Sequence, residues 1–322
     1  MEPNFTLEST AEEVATAFAK EIENKNVLIT GTSLNGLGFE TARVIAKYAS
    51  LVIITGYNAE RLRLSEEALL KEVPSANIRC LILDLSSLTN VRKAAAEVNA
   101  YAEPIHVLIN NAAAPMGTFK LTADGLENQI ATDHVGPFLF TKLLTPKLLA
   151  ATTPTYTPRV VNVGSNAHHY APEIDFATIF KPDKGSFNTT VAYGQAKSAN
   201  ILATIELAKR ARGKLNAYVV HPGVIYTNLN QHPEAIPVLK QMGLLDENGE
   251  PSSARFQWKT IPQGAASTVV AAFDPYLDDK SGVYLVDCQI ATETIAPHTS
   301  DPTRAEMLWN LTEEIIGEKF KL

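Results

Sequence analysis

Cysteine is almost absent, with Cys80 and Cys288 alone among 322 residues. They stand far apart in apolar surroundings, which excludes a disulfide framework and a cysteine zinc site. Positive charge is in deficit: 28 Lys and Arg face 35 Asp and Glu, leaving −7 and a pI near 5.6. The basic footprint that nucleic acid or an anionic membrane surface requires is missing. No apolar run approaches the roughly 18 residues of a membrane span. The first residues are acidic and lack a basic stretch followed by an apolar core, so no signal peptide is expected. These absences point to a reducing, cytoplasmic setting. His168, His169, His221 and His232 have no metal-ligand spacing, so no metal is expected.

What is present is an ordinary globular composition, 45% hydrophobic and 20% charged, in a length that suits one large α/β domain. Ser9-Thr10-Ala11-Glu12-Glu13 holds two overlapping capping boxes, and Val14, Phe18 and Ile22 follow at helical spacing. Residues 1–23 are expected to form an N-terminal amphipathic helix packed outside the main fold. From residue 24 to 322 short apolar runs alternate with helical segments. The runs are 27–29, 51–54, 80–83, 107–109, 160–163, 217–220 and 283–286, which predicts a parallel sheet of seven strands covered by helices on both faces. Ligands on such sheets bind at the carboxyl ends of the strands. Two excursions interrupt the alternation. Residues 168–190 read as a long loop. Residues 229–258, with a helical piece at 235–242, read either as a substrate lid or as a surface insertion.

Chemistry gathers at the strand ends. Gly31-Thr32-Ser33-Leu34-Asn35-Gly36-Leu37-Gly38 follows the first strand and opens a helix, an arrangement that cradles a diphosphate on backbone amides and the positive helix end. Tyr193 and Lys197 are four apart on a helix and share a face. Gly164-Ser165 ends the fifth strand, Asn110-Asn111-Ala112-Ala113 the fourth, and His221-Pro222-Gly223 the sixth.

With those motifs the chain, from about Asn24 to Phe320, resembles a short-chain dehydrogenase/reductase. It is most similar to the branch of retinol-dehydrogenase-like and WW-domain-oxidoreductase-like proteins, without a WW module. Thr122-Ala123-Asp124-Gly125-Leu126-Glu127, Asp133-His134-Val135-Gly136-Pro137-Phe138, the run from Tyr193 to Leu202, and Ser281-Gly282-Val283-Tyr284 carry the likeness. The resemblance implies a single-domain, Rossmann-like doubly wound sheet in the order 3-2-1-4-5-6-7. It also implies hydride transfer between a nicotinamide cofactor and a small hydrophobic carbonyl or alcohol. Tyr193 then matches the general acid/base, Ser165 the carbonyl-polarising hydroxyl, and Lys197 the lysine that binds the nicotinamide ribose and helps ionise the tyrosine. Gly31, Thr32, Ser33, Asn35, Gly36 and Leu37 match the diphosphate turn. Asn111, Ala112, Asp84 and Leu85 match the adenosine side, and Pro222, Gly223, Val224 and Thr227 the nicotinamide side. The physics agrees. A phenol ionises near pH 10, so action near pH 7 asks for about 4 kcal/mol. An ammonium some 4 Å away supplies about that at an effective dielectric of about 20.

The chain departs from the pattern at three places. The glycine turn is one residue longer than usual, and Asn35 is expected to take the positive φ it needs. Asp133 stands where the family usually has an asparagine that positions a relay water. Either its backbone keeps the relay geometry and the residue counts with the catalytic group, or its carboxylate, ionised near Lys197, stabilises the ammonium and weakens its pull on the phenol. At the end of the second strand, Tyr57-Asn58 lacks the carboxylate that usually binds the NAD ribose. Arg61 or Arg63, with Thr32 and Ser33, could meet a 2′-phosphate, which favours NADP(H) over NAD(H). His168 and His169 are either near the substrate mouth or plain loop residues. Met242, Phe256 and Trp258 are candidates to line an apolar pocket, and Leu308, Trp309 and Ile315 to anchor a C-terminal helix. A homodimer would pair through the helices at 122–149 and 193–212, as relatives often do. The rival reading is a dinucleotide-binding sensor or scaffold with weak catalysis.

Overall fold

The computed structural model describes residues 4–322; residues 1–3 of the expected N-terminal helix lie outside them. Of the two capping boxes at the N-terminus, the second is used: Thr10 Oγ1 accepts the Glu13 N–H, and Glu13 Oε2 accepts the Thr10 N–H at 2.8 Å. The helix is not single. It breaks at Phe18 into α1 (Ala11–Ala17) and α2 (Ala19–Ile22). Nor does it lie outside the main fold, because Ala11, Val14, Ala15, Phe18 and Ile22 join one cluster with Val27, Ile45 and Val270. The stripe was legible in the sequence, but its partner was not. Glu12 adds ion pairs to Arg43 at 3.1 Å and Lys47 at 2.6 Å.

The sheet is built from β1 (Asn26–Ile29), β2 (Leu51–Gly56), β3 (Ile78–Ile82), β4 (Val107–Asn110), β5 (Arg159–Val163) and β6 (Asn216–His221). A small pair, β7 (Val224–Ile225) and β8 (Trp258–Lys259), lies apart in its own parallel sheet, and β9 (Tyr284–Val286) and β10 (Gln289–Ile290) complete the main one. Its order is β10-β9-β6-β5-β4-β1-β2-β3, with all pairs parallel except β10 on β9. The expected order of seven parallel strands therefore holds, and an eighth strand extends its edge. That strand is two residues long. The turn before it, Asp287-Cys288, adopts positive φ at both residues without a glycine to announce it.

Alternation along the strands divides the core. Leu28, Ile53, Leu108, Val160 and Ala217 point to one face, while Val27, Ile29, Val52, Ile54, Val107, Ile109, Val161 and Tyr218 point to the other. The first face is covered by α5 (Leu88–Ala100), α7 (Gly136–Leu149), α8 (Thr189–Ala211) and α12 (Pro302–Ile316). The second is covered by α1, α3 (Leu37–Ile45) and α10 (Ile261–Phe273). α4 (Ala59–Glu72) flanks β2 and β3, and α6 (Asn128–Ile130) precedes a π-turn at Ala131–Val135. α9 (Ala235–Gln241) lies in the second excursion, and α11 (Pro297–Ser300) leads into α12. Within α12, Leu308 and Trp309 are buried and Ile315 packs against the same cluster, so the anchoring expected of them is found. No described helix is long and apolar enough to cross a membrane. Strand order reverses between β1 and β4, which opens a crevice at their carboxyl ends.

Candidate functional site

At that crevice the glycine turn is held by the end of β4. Asn111 Nδ2 donates to the Thr30 and Gly31 carbonyls at 2.8 and 3.0 Å, and Thr30 Oγ1 accepts the Asn111 and Ala112 N–H groups at 3.0 Å. A Cβ on Gly38 would sit 2.4 Å from the Gly31 oxygen and 2.5 Å from Asn111 Nδ2, so the approach demands glycine. Asn35 has φ +58°, the left-handed conformation expected of the longer turn. Gly36 begins α3 without a side-chain cap, which leaves its first-turn amides, from Leu37 onward, to a ligand or solvent. A diphosphate fits this cradle. Thr32 does not reach into it by its side chain, for it is buried and Oγ1 donates to the Thr55 carbonyl at 3.1 Å.

Ser33, Thr55, Gly56, Tyr57, Asn58, Arg61 and Leu62 wall one cleft at the end of β2. Asn58 Oδ1 caps α4 by accepting the Arg61 N–H at 2.9 Å, and Tyr57 is largely exposed. Arg63 is drawn elsewhere, into ion pairs with Glu60 and Glu67, which leaves Arg61 as the cation at the cleft. Asp84 is fixed by Ser86, whose hydroxyl donates to Oδ1 at 2.6 Å, and Leu85 is buried with its carbonyl against Gly136.

The second half of the site is on α8. Lys197 is buried, with Nζ 5.3 Å from the centroid of the Tyr193 ring. Between them Gly194 lets the helix press on the turn at Asn166–His169: a Cβ there would lie 2.5 Å from Ala171 Cβ and 2.8 Å from the Ala167 oxygen. Ser165 caps that turn, its Oγ accepting the Ala167 N–H at 3.1 Å. His168 is fully buried with Nδ1 2.7 Å from the Ser165 oxygen, and His221 Nδ1 accepts the Asn166 N–H at 3.2 Å. Burial pushes both imidazoles down to about 4, so both are neutral supports of the turn near pH 7. Among the described residues no group of histidines, cysteines and carboxylates could hold a metal ion.

Asp133 meets Lys197 inside the protein. Its Oδ2 is 2.9 Å from Nζ, with side-chain exposures of 0% and 3%. The contact is one of charge more than of hydrogen-bond alignment; Oδ1 accepts the Ala114 N–H at 2.7 Å. Burial works against the charge on Lys197, but Asp133 and Tyr193 together outweigh it and hold the ammonium above its ordinary value. Burial likewise pushes Asp133 up, against the pull of Lys197 and the Ala114 amide.

The loop after β6 closes the remaining side. Pro222 is buried, Gly223 has φ +101° against the Lys259 side chain, and Val224 enters β7. Thr227 donates its N–H and hydroxyl to Asn230 Oδ1 at 2.9 and 3.1 Å, so its side chain is occupied within the loop. Two ties escaped sequence reasoning, because nothing local signals them. Asn228 Nδ2 donates to the Leu34 carbonyl of the glycine turn, and Glu234 binds Lys120 at 2.7 Å and the Thr118 N–H at 3.2 Å. Met242 reaches Thr190 and Trp258 packs on Ala235, Leu239 and Leu245, while Phe256 is half-buried.

A doubly wound sheet with a glycine turn at its switch point defines a dinucleotide-binding α/β protein. Residues 25–176 match the family described as short chain dehydrogenase. The chain is 36% identical to Short-chain dehydrogenase TIC 32 A, chloroplastic, of Brassica napus, over 96% of this chain and 93% of that protein. It is 31% identical to Retinol dehydrogenase 12 of Homo sapiens, over 94% and 89%. Among solved structures, an uncharacterized protein from Mycobacterium paratuberculosis superposes with a TM-score of 0.70 at 28% identity, over 94% of this chain and 98% of that one. The NADP-bound 3-oxoacyl (acyl-carrier-protein) reductase of Agrobacterium tumefaciens shares the fold, with a TM-score of 0.60 at 20% identity over 85% and 96%. The chain belongs to the short-chain dehydrogenase/reductase family, in its retinol-dehydrogenase-like branch. It is an NAD(P)-dependent oxidoreductase of CH–OH and C=O groups.

Proposed function

We propose that the chain interconverts hydrophobic carbonyls and alcohols with NADP(H), through Ser165, Tyr193 and Lys197. One observation carries the reading: the contact at Gly194 sets the turn capped by Ser165 against the helix that bears Tyr193 and Lys197. When bound, the nicotinamide supplies or accepts the hydride. Ser165 holds the substrate oxygen, Tyr193 gives or takes its proton, and Lys197 holds the ribose and supplies positive charge. Gly31, Ser33, Asn35, Gly36 and Leu37 would carry the diphosphate, with Thr32 acting only by closing the turn on β2. Asn111, Ala112, Asp84 and Leu85 would flank the adenosine, and Pro222, Gly223, Val224 and Thr227 the nicotinamide.

The preference for NADP(H) follows from Arg61 and Ser33 sharing a cleft that Tyr57 and Asn58 leave without a carboxylate. A free 2′-phosphate would gain charge-assisted bonds there, whereas ribose hydroxyls would find no acceptor of equal strength. The segment at 229–258 is read as the substrate lid. Its packing is aliphatic and aromatic, with Ala235, Leu239 and Leu245 buried among Tyr226, Ile236 and Trp258, a composition that suits a cover for an apolar substrate. Pairing of two copies through α7 and α8 is disfavoured by the chain's own α12: Trp309 packs edge-on to Phe138 at 4.7 Å, and Arg210 lies over its ring. Incubation with NADPH and a panel of hydrophobic ketones and aldehydes tests the reading, with cofactor oxidation expected. Tight dinucleotide binding without turnover on any compound would favour the sensor or scaffold instead.

A further inference from the structure

We propose that Lys259 is a positioning residue for hydride transfer: anchored on Asp287, its side chain braces Gly223 and so fixes the segment that flanks the nicotinamide. The inference rests on the reading of Pro222, Gly223, Val224 and Thr227 as the nicotinamide side, and deepens it by naming what holds that segment in place.

The segment has little hold of its own. Gly223 has φ +101°, a conformation glycine adopts readily, and glycine leaves the chain around it free to turn. β7 and β8 pair over two residues each, too few to stand alone. The hold comes from Lys259, which lies opposite Ile225 in that pair. Its Cγ, Cδ and Cε lie 3.4, 2.7 and 3.2 Å from where a Cβ on Gly223 would stand, so the lysine stem fills the place of the missing side chain. The Lys259 side chain is only 8% exposed, and its ammonium pairs with Asp287.

Sheet register carries Asp287 to the lysine. Val286 lies opposite His221 where β9 pairs with β6, so Asp287 leaves β9 beside the point where Pro222-Gly223 leaves β6. The turn that presents it is unfavourable. Asp287 and Cys288 take φ +52° and +66°, and cysteine has neither glycine's freedom nor a side chain suited to the left-handed region. Such a backbone persists where its surroundings impose it. Here α10 does so, with Ser267 Oγ accepting the Cys288 N–H at 2.9 Å in the core. Three residues earlier on the same face of α10, a Cβ on Gly264 would lie 2.7 Å from Ile225 Cγ1 and 2.9 Å from Leu37 Cδ2. One face of α10 thus supports the lysine's anchor, the strand after Gly223 and the start of α3. A strained turn, a nearly buried lysine and a glycine with no room for a Cβ are then explained by one role.

The cleft that would take the 2′-phosphate lies at the end of β2, four strand spacings from β6 or about 19 Å away. Releasing the brace therefore reaches the nicotinamide half of the dinucleotide and spares the other half. Lys259→Ala removes the stem, and Lys259→Met keeps the stem without its anchor. Asp287→Asn removes the anchor's charge, while asparagine tolerates the left-handed backbone. Each variant is measured by calorimetry for NADPH and for adenosine 2′,5′-bisphosphate, and for kcat with the best ketone of a panel. Lys259→Ala is expected to lower kcat about a hundredfold, the cost of a misplacement of about 1 Å, and to weaken NADPH about tenfold. The other two should lower kcat about tenfold, the worth of one charge-assisted hydrogen bond. Bisphosphate affinity should stay within about twofold in all three, as for a distant site. Unchanged kcat and NADPH affinity in Lys259→Ala, or equal losses for NADPH and bisphosphate, would overturn the proposal. Should Lys259→Ala fail to fold, the Met and Asn variants, which keep the packing, carry the same contrast. A wild type that binds neither ligand would refute the cofactor reading, and the brace with it. A wild type that binds both but reduces no carbonyl would refute the catalytic reading alone, leaving the affinity contrast to judge Lys259.

Discussion

Gly194→Ala is a small change with a large expected effect. A Cβ at this position would lie 2.5 Å from Ala171 Cβ and 2.8 Å from the Ala167 oxygen, against an ordinary carbon contact of about 3.5–4.0 Å. One of the two opposing atoms is backbone, so no side-chain rotation relieves the clash. The helix and the turn must part by about 1 Å, carrying Tyr193 and Lys197 away from Ser165. Overpacking of this kind costs about 1–3 kcal/mol of stability. A misplacement of about 1 Å in a reacting constellation costs about 10²-fold in rate. Thermal unfolding of the variant should fall by several degrees, and NADPH oxidation with the best ketone of a panel should drop about a hundredfold in kcat, with cofactor affinity nearly retained. A variant that unfolds at the wild-type temperature and turns over normally would show that the helix–turn contact does not position the site.

Two further expectations follow from other parts of the molecule. Arg61→Ala should weaken NADPH by about 10–100-fold, the worth of a charged hydrogen bond of about 1.5–3 kcal/mol, and leave NADH nearly unchanged in parallel fluorescence titrations; equal losses for both would remove Arg61 from the 2′-phosphate. Burial pushes His134 down to about 3 and His168 and His221 to about 4, so the unfolded chain, with its imidazoles near 6.5, binds protons first as pH falls. Stability is therefore whole above about pH 6.5 and declines progressively toward pH 4. Urea unfolding at pH 7.5, 6 and 5 should show this decline, and His134→Asn should flatten it, whereas a midpoint constant over that range would contradict the burial argument.

The parallel strands were legible because continuous apolar runs with buried faces on both sides have few other uses. The eighth strand was not, since Gln289–Ile290 is too short for a pattern and Asp287-Cys288 does not look like a turn. Residues 9–23 showed their apolar stripe in full, yet sequence alone could not say whether solvent or α10 lay opposite it. Site residues grouped by local motif, such as Gly31 to Gly38 or Tyr193 with Lys197, were found together. Residues whose partners are distant in sequence could be nominated but not oriented: Thr32 turned toward β2, Arg63 toward Glu60 and Glu67, and Thr227 toward Asn230. Asp133 was visible as a departure, but the carboxylate's place against Lys197 depends on a π-turn that spacing does not reveal. Asn228 and Glu234, which tie down the start of the second excursion, lie among polar residues of no distinctive pattern.

Tyr193→Phe tests the central claim most directly, measured for NADPH affinity by calorimetry and for turnover across the carbonyl panel on the same preparation. Loss of the phenolic proton should leave dinucleotide affinity within about twofold and lower kcat by about 10²–10⁴-fold. A phenylalanine variant that binds the cofactor and reduces carbonyls at the wild-type rate would contradict the account.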